Sequence, residues 1–374
     1  MAMLILSRCG FGRIKKMTNR IRLKKSLQSF NSYSADKTSF NYRLNANESP
    51  FKYQDIFNAS ALEKKFLKSM KIEDINRYPD STQEELKDSI LKFYGLKKGQ
   101  VLLGNGSDEL ILYILLTLTG KSSNVLYLDP SFSMYEILTK GLGLKGISVP
   151  LTSGFKLDVE KVLKKIKSHD PDIVFIASPN NPTGNAFKKE DIIKIVSFSK
   201  GIVVLDEAYS DYSDFSFIKS LKKYKNMLIM KTMSKVGFAS LRLGFLLGEK
   251  RLIDSINKLR LPYNISSFSQ SVANKFFKNP FIIGKHIDII KAERSKVEAF
   301  LKEISNVKVY SSDSNFILIR LKRSNALFNF LRSNDLIVKN FPNNKKLHDC
   351  LRITIGLPKE NKRLMLLVSQ FLNK

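Results

Sequence analysis

Short apolar runs alternate with amphipathic stretches from about Tyr94 onward. Strands of a parallel sheet are continuously apolar because helices cover both faces, so each run predicts a buried strand. The predicted strands are Val125 to Leu128, Ile173 to Ala177, Ile202 to Leu205, Met227 to Met230 and Leu243 to Leu247. The predicted helices are Ser107 to Thr119, Tyr135 to Gly141, Asp158 to Ser168 and Lys188 to Ser199. This alternation predicts an α/β domain with a mainly parallel sheet between helices.

The hydrophobic pattern from Lys285 onward differs from this alternation. A long helical stretch from Lys285 to Glu303 is followed by short strand and helix patterns, which predict a smaller α+β domain. The sequence thus predicts a basic N-terminal segment (1–42), a large domain (43–270) and a small C-terminal domain (271–374).

Composition and charge argue against several classes of protein. The net charge is +29, but the basic residues are dispersed and no nucleic-acid-binding motif accompanies them, so nucleic-acid binding is not predicted. Two cysteines and three widely spaced histidines predict neither a disulfide framework nor a metal site. No apolar run is long enough to span a bilayer. Because two cysteines are too few for a disulfide framework, a reducing compartment is the default and we expect a cytoplasmic protein. Residues 1–35 lack acidic side chains and are either a basic tail or an organellar targeting segment.

Four polar segments at predicted strand ends or helix starts contain candidate functional residues. In the first, Gly106, Ser107 and Asp108 stand at a helix start, where backbone amides bind anions, although Ser107 or Asp108 could simply cap the helix. The second runs from Ser178 to Gly184. Seven residues of this kind in a row after a buried strand exceed what a simple turn needs, so they predict a loop of specific conformation.

The third segment places Asp206, Glu207 and Tyr209 at the end of an apolar strand. A buried carboxylate requires a partner, so Asp206 is expected to face a cation or to form an ordinary structural ion pair. The fourth segment contains Lys235 among small and apolar residues, where a partly desolvated amine can act as a nucleophile.

In this order, the segments resemble the pyridoxal-phosphate-dependent aminotransferases of fold type I, most closely the histidinol-phosphate aminotransferase group. The resemblance extends over roughly residues 43–374 and includes Leu44 to Glu48, Asn76 to Asp80 and Asp349 to Gly356. It implies a large domain with a seven-stranded sheet, a smaller domain, pyridoxal phosphate as cofactor, and a homodimer.

The resemblance also implies roles for individual residues. Lys235 would hold the cofactor and move a proton, Asp206 would face its ring nitrogen, and Asn181 and Tyr209 would bind its ring oxygen. Phe132 would stack on the ring. The implied phosphate cradle consists of Gly106, Ser107, Asp108, Ser234 and Arg242, together with Tyr78 from the neighbouring subunit. The implied substrate-binding residues are Asn47, Arg352 and Lys339.

Two departures from the family pattern concern the phosphate groups. Lys339 stands where the family commonly has an arginine, and lysine lacks the planar fork that binds phosphate through two bonds. The stretch from Lys235 to Arg242 is one residue shorter than is usual, which weakens the assignment of Arg242 to the cofactor phosphate.

The leading hypothesis is an aminotransferase of histidine biosynthesis that acts on a small phosphorylated amine, with L-histidinol phosphate and 2-oxoglutarate or glutamate as first candidates. The alternatives are a decarboxylase of phosphothreonine or phosphoserine type, and a non-catalytic basic binding protein on the same fold.

Overall fold

Two sheets organise the described part of the chain, which comprises residues 39–51, 76–278 and 280–372 of a computed structural model. Most of the predicted basic segment, residues 1–38, lies outside these residues. The strands are β1 (Tyr42–Leu44), β2 (Val101–Asn105), β3 (Asn124–Asp129), β4 (Lys145–Pro150), β5 (Ile173–Ala177), β6 (Ile202–Asp206), β7 (Met227–Thr232), β8 (Leu243–Leu247), β9 (Lys308–Val309), β10 (Phe316–Arg320), β11 (Leu336–Asn340) and β12 (Cys350–Thr354). The α-helices are α1 (Glu84–Tyr94), α2 (Ser107–Leu118), α3 (Ser133–Gly141), α4 (Val159–His169), α5 (Lys189–Phe198), α6 (Lys250–Asn257), α7 (Ser267–Lys278), α8 (Phe281–Lys302), α9 (Ser324–Ser333) and α10 (Pro358–Leu372).

The larger sheet has seven strands in the order β2-β8-β7-β6-β5-β3-β4. Strands β4, β3, β5, β6 and β7 run parallel, whereas β8 is antiparallel to both of its neighbours. The prediction of an α/β fold with a mainly parallel sheet is therefore confirmed.

The large sheet is buried on both faces, as its continuous apolar runs predict. Along β5, Val174 and Ile176 pack into one hydrophobic cluster, while Ile173, Phe175 and Ala177 pack into another on the opposite face. Successive side chains of a strand point to opposite faces, so one apolar run supplies both clusters. This packing fixes the strand ends, from which the polar segments extend.

The smaller sheet has the order β1-β11-β12-β10-β9. Strand β1 comes from the N-terminal side of the large sheet in sequence, yet it pairs parallel to β11, with Tyr42 opposite Leu336. Side chains of both segments share one core, which includes Leu44 and apolar residues of α8, α9 and α10. The residues just after β1 are thereby held beside β12.

Several elements did not stand out in the apolar pattern. Strand β4 lies at the edge of the large sheet, where Lys145, Gly146 and Ser148 are exposed, so its sequence forms no continuous apolar run. Strand β2 has only three consecutive large apolar residues before Gly104. The short helix α6 buries only Ile253 and Ile256. Each of these signals is too brief to identify an element without its neighbours.

Candidate active site

The carboxyl-terminal ends of four parallel strands bring four predicted site residues to one end of the large sheet, its carboxyl-terminal edge. Phe132 follows β3, Asn181 follows β5, Asp206 ends β6, and Lys235 follows β7. Strand β2 ends at the same edge and β8 begins there, because Asn105 pairs with Leu243. Ligands of open parallel sheets bind at this edge, so the topology supplies the expected position for a site.

The start of α2 is closely packed against β8 and Arg242 at this edge. Gly106 precedes the helix with a φ of +81°, and a Cβ there would lie 2.6 Å from Nη2 of Arg242. A Cβ on Gly244 would lie 2.8 Å from the backbone nitrogen of Ser107. Glycine is required at Gly106 by its positive φ and at Gly244 by the close approach of β8 to the backbone of the helix start. Arg242 also pairs with Asp108 at 3.3 Å, which brings four predicted cradle residues together.

Asp206 is enclosed at the end of β6, with 5% of its surface exposed. Its Oδ2 accepts a hydrogen bond of 2.5 Å from the Tyr135 hydroxyl, and its Oδ1 accepts one of 3.0 Å from the Ala208 amide. Burial raises the pKa of Asp206 to about 6, although both hydrogen bonds act in the opposite direction. A cation beside this carboxylate would therefore be strongly favoured.

Lys235 ends a 3₁₀ turn, Met233–Lys235, that follows β7 directly. The Thr232 side chain accepts a hydrogen bond from the Ser234 amide at 3.2 Å and fixes the turn. The Tyr212 hydroxyl donates to the backbone carbonyl of Lys235 at 2.7 Å. The half-buried Lys235 amine lies 3.5 Å from the Ala46 carbonyl oxygen. The same amine lies 5.8 Å from the centroid of the Tyr209 ring, so it stands between the segment after β1 and the residues that follow β6.

Tyr209 belongs to a buried polar network that joins both sheets. Asn47 donates to the Tyr209 hydroxyl at 3.1 Å through Nδ2, and its Oδ1 accepts from the Thr354 hydroxyl at 3.0 Å. The Asn315 side chain donates to the Asn47 carbonyl at 3.1 Å. Because Asn47 already donates to the Tyr209 oxygen, the phenol proton of Tyr209 can be directed towards a ligand.

Arg352 on β12 reaches the loop after β5. Its Nη1 donates to the Asn181 Oδ1, and its Nη2 donates to the Asn45 carbonyl at 2.8 Å. With the amide oxygen of Asn181 engaged, its NH₂ group can face a ligand oxygen. Lys339 is exposed on β11 and pairs directly with Arg352 across the two strands. Directly opposed residues share one face of an antiparallel sheet, so both cations lie on the same face.

The remaining predicted residues occupy different positions. Phe132 packs edge-on against Tyr135, with ring centroids 5.7 Å apart, and Ser234 is buried in the turn before Lys235. Tyr78 is 80% exposed and stacks on the ring of Tyr263, with centroids 4.6 Å apart. Tyr78 therefore contributes to an exposed surface of the chain.

Four residues of this arrangement were not singled out by sequence reasoning: Tyr135, Tyr212, Thr354 and Asn315. Each acts through a contact over a long sequence distance. Tyr135 is 71 positions from Asp206, and Asn47 is 307 positions from Thr354. The phenol of Tyr135, five positions after Pro130 at the end of β3, was visible in the sequence, but its buried partner was not.

The described residues contain no helix long and apolar enough to cross a membrane. Within the same residues, no group of three histidine, cysteine or acidic side chains could hold a metal ion.

The family of this chain follows from its similarity to known proteins. The family model "Aminotransferase class I and II" matches residues 42–366, which is most of the chain. The chain belongs to this family. It is therefore a pyridoxal-phosphate-dependent aminotransferase, and the alternative of a non-catalytic binding protein is removed.

Individual relatives of this aminotransferase extend over nearly its whole length. It is 39% identical over 350 residues to a histidinol-phosphate aminotransferase from Vesicomyosocius okutanii, which covers 93% of this chain and 97% of the relative. A histidinol-phosphate aminotransferase structure from Clostridium acetobutylicum superposes with a TM-score of 0.80 at 26% identity, covering 89% of this chain and 99% of that one. An L-threonine-O-3-phosphate decarboxylase from Porphyromonas gingivalis has a TM-score of 0.76 at 20% identity, covering 89% and 100% of the two chains. The last similarity shows a shared fold alone.

The residues of this aminotransferase fit pyridoxal phosphate. Among the described residues no side chain caps α2, so its first amides and Arg242 can bind a phosphate. Asp206 can face the ring nitrogen, which is cationic when protonated, and Lys235 supplies the amine. Tyr209 and Asn181 can each donate to a ring oxygen. The donor set therefore includes an appropriate partner for each polar group of the cofactor.

Proposed function

We propose that this aminotransferase transfers the amino group of L-histidinol phosphate to 2-oxoglutarate, as a step of histidine biosynthesis. The observation that carries the proposal is near-full-length similarity to histidinol-phosphate aminotransferases, at 39% identity to the relative from Vesicomyosocius okutanii. The paired cations Arg352 and Lys339 beside the cofactor edge support a substrate with an anionic group.

In this proposal, the bound cofactor supplies an electron-withdrawing ring that stabilises negative charge at the substrate α-carbon. Lys235 holds the cofactor and later moves the proton from the substrate α-carbon. Asp206 keeps a proton on the ring nitrogen, since its buried carboxylate favours an adjacent cation. Tyr209 and Asn181 orient the ring by hydrogen bonds to its oxygen.

The phosphate of the cofactor is assigned to the start of α2. Gly106, Ser107 and Asp108 provide the backbone, Ser234 a hydroxyl, and Arg242 a guanidinium group. The pairing of Arg242 with Asp108 places that guanidinium beside the helix start, which supports this assignment despite the shortened segment before it.

At the substrate end, Arg352 and Lys339 would bind the anionic group of the substrate, and Asn47 would line the same opening. Arg352 is 8% exposed and is oriented by Asn45 and Asn181, so its remaining donor capacity has a fixed direction. Glutamate and 2-oxoglutarate carry carboxylates and could use the same cations.

The exposed stack of Tyr78 on Tyr263 supports a homodimer, in which Tyr78 would reach the cofactor phosphate of the partner. Leu261, two positions before Tyr263, is 63% exposed, which adds apolar surface suited to an interface. Sedimentation velocity should give about twice the mass of one chain, and Tyr78→Ala should lower cofactor affinity. A monomer with full activity would exclude a shared site.

The test of the reaction is a single-turnover mixture of the cofactor-loaded protein with L-histidinol phosphate, followed by the absorbance of the bound cofactor. Conversion to the pyridoxamine form, reversed by 2-oxoglutarate, is expected. An unchanged spectrum would exclude this substrate. Release of CO₂ from phosphoserine or phosphothreonine, without conversion to the pyridoxamine form, would instead establish a decarboxylase.

A further inference from the structure

A fully buried phenol lies against the carboxylate that is assigned to the cofactor ring nitrogen. Tyr135 on α3 has no exposed surface, and its hydroxyl donates to Asp206 Oδ2 at 2.5 Å. Its ring stacks on Phe175 of β5, with centroids 4.8 Å apart and planes inclined by 6°. Two neighbouring strands and one helix therefore fix the direction of this hydroxyl.

Among the described residues, two groups besides Tyr135 favour the charge of Asp206. The Ala208 amide donates to the second carboxylate oxygen at 3.0 Å. The Asp108 carboxylate acts against ionisation of Asp206, whereas the Lys235 amine acts in its favour. Burial is the largest influence and favours the neutral acid. Tyr135 supplies the strongest opposing contact, since a hydroxyl donating to a carboxylate stabilises the ionised form.

We propose that Tyr135 is a positioning residue that keeps Asp206 ionised and aimed at the ring nitrogen, an inference that rests on the role of Asp206 in the proposed function. The proton between Asp206 and the ring nitrogen can reside on either atom. A hydrogen bond to the carboxylate stabilises the arrangement with the proton on nitrogen, which is the arrangement that makes the ring an effective electron sink.

If Tyr135 acted only through packing, removal of its hydroxyl would leave the ring nitrogen unaffected. Its ring fills space beside Phe175 and Phe132, and this packing needs no hydroxyl. Tyr135→Phe keeps the ring and removes only the oxygen, so it separates the two roles. Tyr127→Phe is the matched control, because Tyr127 belongs to the same hydrophobic cluster and its hydroxyl lies beside Gly146.

The experiment uses the full chain loaded with pyridoxal phosphate that carries ¹⁵N at the ring nitrogen. The ¹⁵N resonance of this atom distinguishes a protonated from a neutral ring. In Tyr135→Phe it should move towards the neutral value, and kcat should fall about tenfold with KM nearly unchanged. Tyr127→Phe should retain the original resonance and kcat.

A double variant tests whether Tyr135 acts through Asp206. In an Asp206→Asn background, the ring nitrogen has already lost its carboxylate partner, so adding Tyr135→Phe should leave the resonance where it is. An unmoved resonance in the single variant, or an equal movement in Tyr127→Phe, would overturn the inference while leaving the aminotransferase reaction intact. Failure of the unaltered protein to bind the labelled cofactor would overturn the proposed function itself.

Discussion

The two ends of the candidate site are enclosed to different degrees. At the proposed cofactor end, Asp206 and Tyr135 are buried at the carboxyl-terminal edge of the large sheet and are hydrogen-bonded to each other. At the proposed substrate end, Arg352 is buried in the small sheet, but its neighbour Lys339 is exposed on β11. A buried charge requires fixed partners, whereas an exposed charge can be exchanged at little energetic cost. The difference predicts large effects of substitution at the buried cofactor end and a small effect at the exposed Lys339.

The largest effect is expected for Lys235→Ala. This variant lacks the amine that would hold the cofactor and move the substrate proton, so turnover should be abolished and the absorbance of the covalently held cofactor should vanish. Steady-state assays and absorbance spectra measure both results. Lys231→Ala is unsuitable as a control because its buried amine pairs with Glu207; Lys223→Ala, on an exposed turn, should retain activity. Activity like that of the unaltered protein in Lys235→Ala would refute the assignment.

Asp206→Ala should come next, with cofactor binding retained and kcat reduced about 10³-fold, because a neutral ring is a weaker electron sink. Equilibrium titration with cofactor and single-turnover kinetics separate binding from chemistry. If kcat stays near its original value, another group must protonate the ring.

The same carboxylate should affect the stability of the cofactor-free protein. The folded-state pKa of Asp206 is about 6, above its ordinary value of 3.8, so the folded state binds this proton more tightly than the unfolded state does. Stability therefore falls as the pH rises from about 4 to 6, by at most about 3 kcal/mol.

Asp206→Asn should remove this penalty. In urea titrations without cofactor, the variant should be more stable than the original protein at pH 8 and similar to it at pH 4. Asp214→Asn is the control, because the Asp214 side chain is 92% exposed. An equal stability difference at both pH values would contradict the buried-carboxylate explanation.

The smallest effect is expected for Lys339→Arg. The planar guanidinium group restores a forked contact to phosphate, so KM for L-histidinol phosphate should fall about two- to fivefold with kcat unchanged. Lys322→Arg provides a control on an exposed loop, with no change in KM expected. A higher KM in Lys339→Arg would indicate that this substrate's phosphate binds elsewhere.

Elements with long apolar runs could be predicted from the sequence, whereas elements that depend on their neighbours in the fold could not. Strands β5 and β8 match their predicted bounds, because each run is buried on both faces. Strand β4 was missed because its edge position leaves polar residues exposed. Similarly, the strand-end segments of the site could be predicted from their motifs. The hydrogen bond between Tyr135 and Asp206 could not, because it depends on how α3 packs against β6.

The pairing of β1 with β11 has a consequence for the order in which the site can form. Asn45 and Asn47 follow β1, and both contact residues of β12 that lie 307 positions later in the chain. During synthesis, the chain emerges from its N-terminal end, so these early residues must wait until almost the whole polypeptide has been made. Contacts of such long sequence separation also form slowly. The large sheet can therefore assemble first, and the opening for the substrate is completed only by the last strand to be synthesised.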